Sequence, residues 1–299
     1  MESIYTSPEG KRALLDVYER QLAALERAGQ RFTSRRVDTR HGETHLLLAG
    51  PEDAPPVVLL HGGNGDGVMM ARGFASLIER HRCVFVDIPG EPNRSCERAF
   101  DKSRADDAIG RWMEDVLDAL ALERVAMLGV SGGGYLTLRC CATIPERLRR
   151  VVLITPEGLS RAGAWTQLTR VVWPLLRYRL SPGRASVRRF LAALSTAGAP
   201  VPADSIDHFS LVLEHVRSVM NLGAPLTREE LRGLEAPVLL LAAGRDVLFP
   251  GGAAIERARE IIPQLEEPIL EPAANHVHAG FYTGAAMARI RAFLDAPGA

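Results

Sequence analysis

The sequence predicts an α/β fold built on a mostly parallel sheet flanked by helices. Three observations carry that expectation. Short, almost wholly apolar runs recur at 57–60, 84–88, 125–130, 151–154 and 238–243, as expected for strands buried on both faces. Helix-like stretches at 68–80, 103–121 and 133–143 lie between them, and alternating strand and helix implies parallel pairing. Residues able to do chemistry fall just after several of these runs, where such sheets carry their ligand and reaction loops.

The elements follow in order. Residues 8–28 read as an amphipathic helix, because Leu14, Leu15, Tyr18, Leu22 and Leu25 recur at helical steps and Gly29 provides a stop. Runs at 32–38 and 43–49, with His41-Gly42 between them, form a β-hairpin. The apolar strands and their helices come next. From 157 to 230 the alternation stops, and several helices with turns at Ser181-Pro182-Gly183 and Gly198-Ala199-Pro200 read as an insertion over the sheet. A strand-like run at 267–272 and a last helix at 283–294 close the chain. The chain thus divides into a core of 1–156 and 231–299 and a helical cap of 157–230. The helix at 8–28 is open to two roles, capping the core or forming an interface.

Composition narrows the function classes. The chain has 299 residues, of which 46% are hydrophobic, enough for a sizeable core. Lys plus Arg and Asp plus Glu are 36 each; that balance lacks the basic footprint of a nucleic-acid binder. No apolar run approaches the ~18 residues of a spanning helix, and the first residues lack the apolar core of a signal peptide; a cytoplasmic protein is the simplest expectation. Cys83, Cys96, Cys140 and Cys141 match no zinc spacing, so ordinary reduced thiols and no metal are expected.

The chemistry centres on Gly129-Val130-Ser131-Gly132-Gly133. A G-x-S-x-G string alone is a weak signal, but this one follows an apolar strand and opens a helix, the context it needs. There the serine sits on a tight turn at a helix N-terminus, where backbone N–H groups can stabilise an oxyanion. His61-Gly62-Gly63 follows the first apolar strand, and Gly63 is the candidate second donor beside Gly132. His61 itself reads as structural. A serine nucleophile needs a base; His276 follows the run at 267–272 and is the candidate, with His278 as rival. His41, His45 and His81 lie at hairpin or helix-end positions, and His208 and His215 read as surface or cleft residues. An acid must fix the base's tautomer. Asp246, in Gly244-Arg245-Asp246 just after a strand, is favoured over Glu157; Asp87 fits a structural loop role.

These pieces, in the order Ser131, Asp246, His276, resemble the α/β-hydrolase superfamily from about residue 35 to the end. The matching text is His61-Gly62-Gly63, Asp87-Ile88-Pro89-Gly90, the serine turn, Pro145-Glu146-Arg147-Leu148, Gly244-Arg245-Asp246 and Asn275-His276. Within the superfamily the chain is most similar to small bacterial serine carboxylesterases, which carry similar text around residues 50–56 and 226–231. The resemblance implies an eight-stranded, mostly parallel sheet with a helical cap after the sixth strand. It also implies no metal or organic cofactor and a small ester as substrate. Asn275 stands where the family commonly has glycine, and Asn64 departs from the three-glycine loop of the hormone-sensitive lipase branch. Ser131 argues against the carboxylate-nucleophile branches. The same constellation also serves acyl transfer, carbon–carbon hydrolysis and perhydrolysis, and a non-catalytic binding member of the fold is the remaining alternative. Homo-oligomerisation is left open.

The insertion has its own signature. From Gly158 to Ala203 there is no Asp or Glu, but there are seven arginines: Arg161, Arg170, Arg177, Arg179, Arg184, Arg188 and Arg189. They read as a solvated basic face, or as a device for guiding an acidic ester. Trp165, Trp173 and Leu175 are candidates for an acyl pocket, against a plainer reading as helix-packing core.

Overall fold

Each residue of 57–60, 125–130 and 238–243 is buried, which a strand achieves only when helices cover both faces of its sheet. The computed structural model of the chain describes residues 3–103, 106–217 and 222–297. Eight strands form one sheet: β1 (Thr33–Thr39), β2 (Gly42–Ala49), β3 (Pro56–Leu60), β4 (Arg82–Val86), β5 (Val125–Val130), β6 (Leu148–Ile154), β7 (Val238–Ala243) and β8 (Ile269–Glu271), in the order β1-β2-β4-β3-β5-β6-β7-β8. The β1–β2 hairpin and the β2–β4 pair are antiparallel. All other pairs are parallel. The expected α/β-hydrolase architecture is therefore present.

Alternate residues of the same strands feed two cores, as the two-residue period of a strand requires. Val58, Leu60, Met127 and Leu153 join the cluster under helices α3 (Ala108–Ala119), α4 (Gly132–Thr143) and α9 (Gly251–Ile261). Val57, Leu59, Leu128 and Ile154 join the opposite cluster, under α1 (Pro8–Arg27), α2 (Gly67–Gly73) and α10 (Gly284–Asp295). Cys83, Cys140 and Cys141 are free, buried thiols in these layers.

Some boundaries differ from expectation. The helix foreseen at 68–80 ends at Gly73 and gives way to a 3-10 turn at Ala75–Leu77. A Cβ at Gly73 would lie 3.1 Å from Tyr282, so close packing, rather than helix propensity, sets this residue. The strand foreseen at 84–88 runs Arg82–Val86. Asp87 leaves it because its buried carboxylate accepts from Gly67 N–H at 2.7 Å and His45 Nδ1–H at 2.8 Å. The helix foreseen at 103–121 spans Ala108–Ala119, with 104 and 105 outside the described residues.

Between β6 and β7 lie α5 (Ala164–Gln167), α6 (Trp173–Leu180), α7 (Arg184–Leu194) and α8 (Ala203–His215), with a π-turn at Leu168–Val172 joining the first two. Val171, Val187, Phe190, Leu191 and Ile206 form a separate small core there, to which Leu175 and Leu248 add. Trp165 and Trp173 do not belong to it: they are 76% and 52% exposed, which corrects the packing-core reading. His208 is buried, correcting its reading as a surface or cleft residue. Helix α1 bridges the sheet and α8, because Tyr18 and Leu22 pack on the sheet while Leu14, with Tyr5 from the chain before the helix, packs on Val212 of α8. Among the described residues no helix is long and apolar enough to cross a membrane.

Candidate active site

Ser131 stands between β5 and α4 with φ 53° and ψ −118°, a conformation that L-residues rarely adopt. The turn holds it there. Ser131 N–H donates to Ile154 O at 3.0 Å, and Ser131 O accepts from Glu157 N–H at 3.0 Å and Gly134 N–H at 2.9 Å. The flanking glycines are steric necessities. A Cβ at Gly129 would meet Thr137 Oγ1 at 2.3 Å, and one at Gly133 would meet Leu60 O at 2.3 Å. Thus sequence, strained turn and serine presentation form one unit.

Two strand-end loops bring the candidate base and the candidate acid to Ser131. Ser131 Oγ lies 3.0 Å from His276 Nε2, and His276 Nδ1–H donates to Asp246 Oδ2 at 2.8 Å. Asp246 follows β7 and is buried; its other oxygen accepts from Leu248 N–H at 2.7 Å and Phe249 N–H at 2.9 Å. The carboxylate thus carries three donors, which fix its orientation. Phe249 packs edge-on against the imidazole, with ring centroids 5.5 Å apart. This chain of contacts can move the serine proton to Nε2 while Asp246 holds Nδ1 protonated.

Asn275 braces the histidine. Its Oδ1 accepts from His276 N–H at 2.8 Å and Val247 N–H at 3.1 Å, and its Nδ2 donates to Ala193 O at 2.9 Å and Ser195 O at 3.1 Å. A glycine here would make none of these side-chain bonds. The rival, His278, faces elsewhere: its Nδ1 is 3.0 Å from Thr196 Oγ1, and its ring packs on Phe281.

The loop after β3 brings Gly63 to the serine turn. A Cβ on Gly132 would lie 3.5 Å from Gly63 N, so these two backbone segments converge. The Gly63 N–H has no protein acceptor among the described residues, and the Gly132 N–H, in the first turn of α4, has no intrahelical one. His61 braces the loop, since Nε2 accepts from Ile88 N–H at 3.0 Å and Nδ1–H donates to Gly62 O at 2.8 Å. From α8, His208 Nε2–H donates to Asn64 O at 2.7 Å. Asn64 N–H in turn donates to Glu91 at 2.7 Å.

Glu157, the rival acid, is committed elsewhere: Lys102 Nζ donates to its Oε2 at 2.9 Å. This ion pair edges the site, since a Cβ on Gly132 would lie 3.6 Å from Glu157 Oε2 and 4.0 Å from Lys102 Nζ. Lys102, Glu91 and the bridging role of Asn275 escaped the sequence reading. No local pattern marks them, because apart from the neighbouring His276 N–H the partners cited lie 27 to 82 residues away.

Comparison with known proteins fits this geometry. Residues 55–181 match the family model described as alpha/beta hydrolase fold. The chain is 30% identical over 259 residues to Carboxylesterase YbfK of Bacillus subtilis, covering 80% of each protein. It is 28% identical over 252 residues to the uncharacterized carboxylesterase nap of the same organism, covering 80% of this chain and 79% of that one. Among solved structures, the naproxen esterase (carboxylesterase NP) from Bacillus subtilis superposes with a TM-score of 0.78 at 26% identity, covering 95% and 97% of the two chains. The chain belongs to the α/β-hydrolase family and resembles its small bacterial carboxylesterases.

Proposed function

We propose that this protein is a serine carboxylesterase working through an acyl-enzyme. The observation that carries the reading is the continuous relay from Ser131 through His276 to Asp246, at 3.0 and 2.8 Å. Ser131 Oγ attacks the ester carbonyl as its proton passes to His276 Nε2. The Gly63 and Gly132 N–H groups hold the oxyanion, and His276 returns the proton to the departing alcohol. Water then gives a proton to His276, attacks the acyl carbon and releases the acid, and Ser131 recovers its proton. The carboxylesterase relatives support the ester as the substrate class.

The test is release of p-nitrophenol from p-nitrophenyl esters of graded chain length. Wild type should turn over, and Ser131→Ala should lose on the order of 10⁴-fold or more in kcat. A fluorophosphonate should label wild type at Ser131 and leave Ser131→Ala unlabelled. A folded wild type that neither hydrolyses any ester nor takes the label overturns the reading.

A further inference from the structure

Helix α5, the π-turn and α6 form one rod from Ala164 to Leu180. Along it Trp165, Leu168, Val172, Trp173, Leu176 and Leu180 are 76%, 48%, 43%, 52%, 43% and 76% exposed. The π-turn explains how they share a face. An α-helix advances about 100° per residue and a π-turn less, so the slower winding over Leu168–Val172 gathers all six within roughly a quadrant. Val171 and Leu175 fall on the opposite side, in the cap's own core. A contiguous apolar face of this kind on a folded surface marks an interaction site.

The surrounding charge selects the partner. All seven arginines of residues 158–203 are exposed, with no acidic residue in that stretch. Arg184 pairs with Asp207. Arg161, Arg170, Arg177, Arg179 and Arg188 form no ion pair among the described residues, and Arg170, Arg177 and Arg179 lie on the rod itself. A second copy packed symmetrically on this face would bring these unpaired cations together, a repulsive arrangement. A single convex helix also offers no groove for an acidic peptide. Tryptophan and leucine on one face with arginines beside them match a helix lying in the plane of a lipid–water interface.

We propose that the outer face of the α5–α6 rod docks on an anionic lipid surface. The segment leading into the rod meets the loop that carries Asp246, since Ala162 N–H, two residues before α5, donates to Leu248 O at 2.8 Å, two residues beyond Asp246. Docking there sets the reaction site beside the lipid, so that an ester dissolved in the lipid can reach it. The surface itself does not depend on the serine chemistry.

Vesicle co-sedimentation and tryptophan emission test the proposal on the full chain. Trp112 is fully buried, so a change in emission reports Trp165 and Trp173. Vesicles of phosphatidylglycerol and phosphatidylcholine should bind the protein and shift its emission to the blue, with affinity falling as salt rises. Pure phosphatidylcholine should bind at least about tenfold more weakly. Trp165→Ser with Trp173→Ser, and separately Arg177→Gln with Arg179→Gln, should each weaken anionic-vesicle binding by about tenfold or more. Turnover of soluble p-nitrophenyl acetate should stay within about twofold. Ser131→Ala should bind vesicles like wild type, which separates this surface from the esterase reading. Failure to co-sediment at low salt overturns the proposal. So does a dimer in sedimentation velocity that the tryptophan double variant dissolves, since the face then belongs to a second copy. A raised KM for the soluble ester with unchanged vesicle binding also overturns it, since the stripe then lines the substrate's path.

Discussion

Asn275 shows how much one amide can organise. Its Oδ1 holds the backbone of both loops that carry the relay, at His276 and Val247, and its Nδ2 ties them to the end of α7. Asn275→Ala leaves two backbone donors and two carbonyls without their partner; the site is half-buried, so water replaces part of the loss and each lost bond costs about 0.5–1.5 kcal/mol. We expect kcat to fall about tenfold and Tm to fall by several degrees, measured with p-nitrophenyl acetate and by thermal unfolding. KM should change less than kcat, because the displaced group is the imidazole rather than a substrate contact. Unchanged kcat with unchanged Tm would show that the loops hold themselves.

At the scale of elements, what the sequence made legible follows from range. Ser131, Asp246 and His276 each follow a strand, so period and punctuation in the chain itself place them at the carboxyl ends of the strands, on one side of the sheet. Gly63 is legible for the same reason. The braces are not: His208 reaches Asn64 across 144 residues, and Lys102 reaches Glu157 across 55, contacts that only the folded chain creates. Trp165 and Trp173 misled because an apolar residue at helical spacing looks the same whether it faces a core or solvent. Helix α2 carries a further consequence. Its N-cap, Asp66, accepts from Met69 N–H at 2.8 Å and is 1% exposed. Burial pushes its carboxyl above the usual range, against the opposing pull of His208. A raised folded-state pKa favours the protonated form, so this stabilisation is complete below the unfolded pKa and is lost as pH rises through the folded one. Asp66→Asn keeps the cap acceptor without the buried charge. Thermal unfolding of the variant should therefore exceed wild type by about 2 °C or more at pH 7.5, with the gap closing as pH falls toward 4. A gap that widens on acidification would reverse the assignment.

For the whole molecule, the question is what holds the cap to the sheet, since the cap has its own small core. Helix α1 is one answer, because Leu14 packs on Val212 of α8 while Tyr18 and Leu22 pack over the sheet. The chain at Tyr5 also pairs with Val216, and Thr6 N–H donates to His215 O at 2.8 Å. The approach is closest at Gly10, where a Cβ would lie 2.6 Å from His215 Cβ. Two principles then give opposite signs for Gly10→Ala. Helix propensity alone favours alanine by about 0.5–1 kcal/mol. Close packing disfavours it, because the new methyl meets the first carbon of a side chain fixed on the neighbouring helix, and overpacking costs about 1–3 kcal/mol. Packing should win. We expect Gly10→Ala to lower Tm by about 2–6 °C and to hasten proteolysis within the cap, while kcat for a small soluble ester stays near wild type because Ser131, His276 and Asp246 rest on the sheet. Gly10→Ser should behave like alanine, since its Cβ meets the same atom. If alanine instead raises Tm, propensity has prevailed, and α1 with the chain before it holds the cap through Leu14 and Tyr5 rather than through the close approach at Gly10.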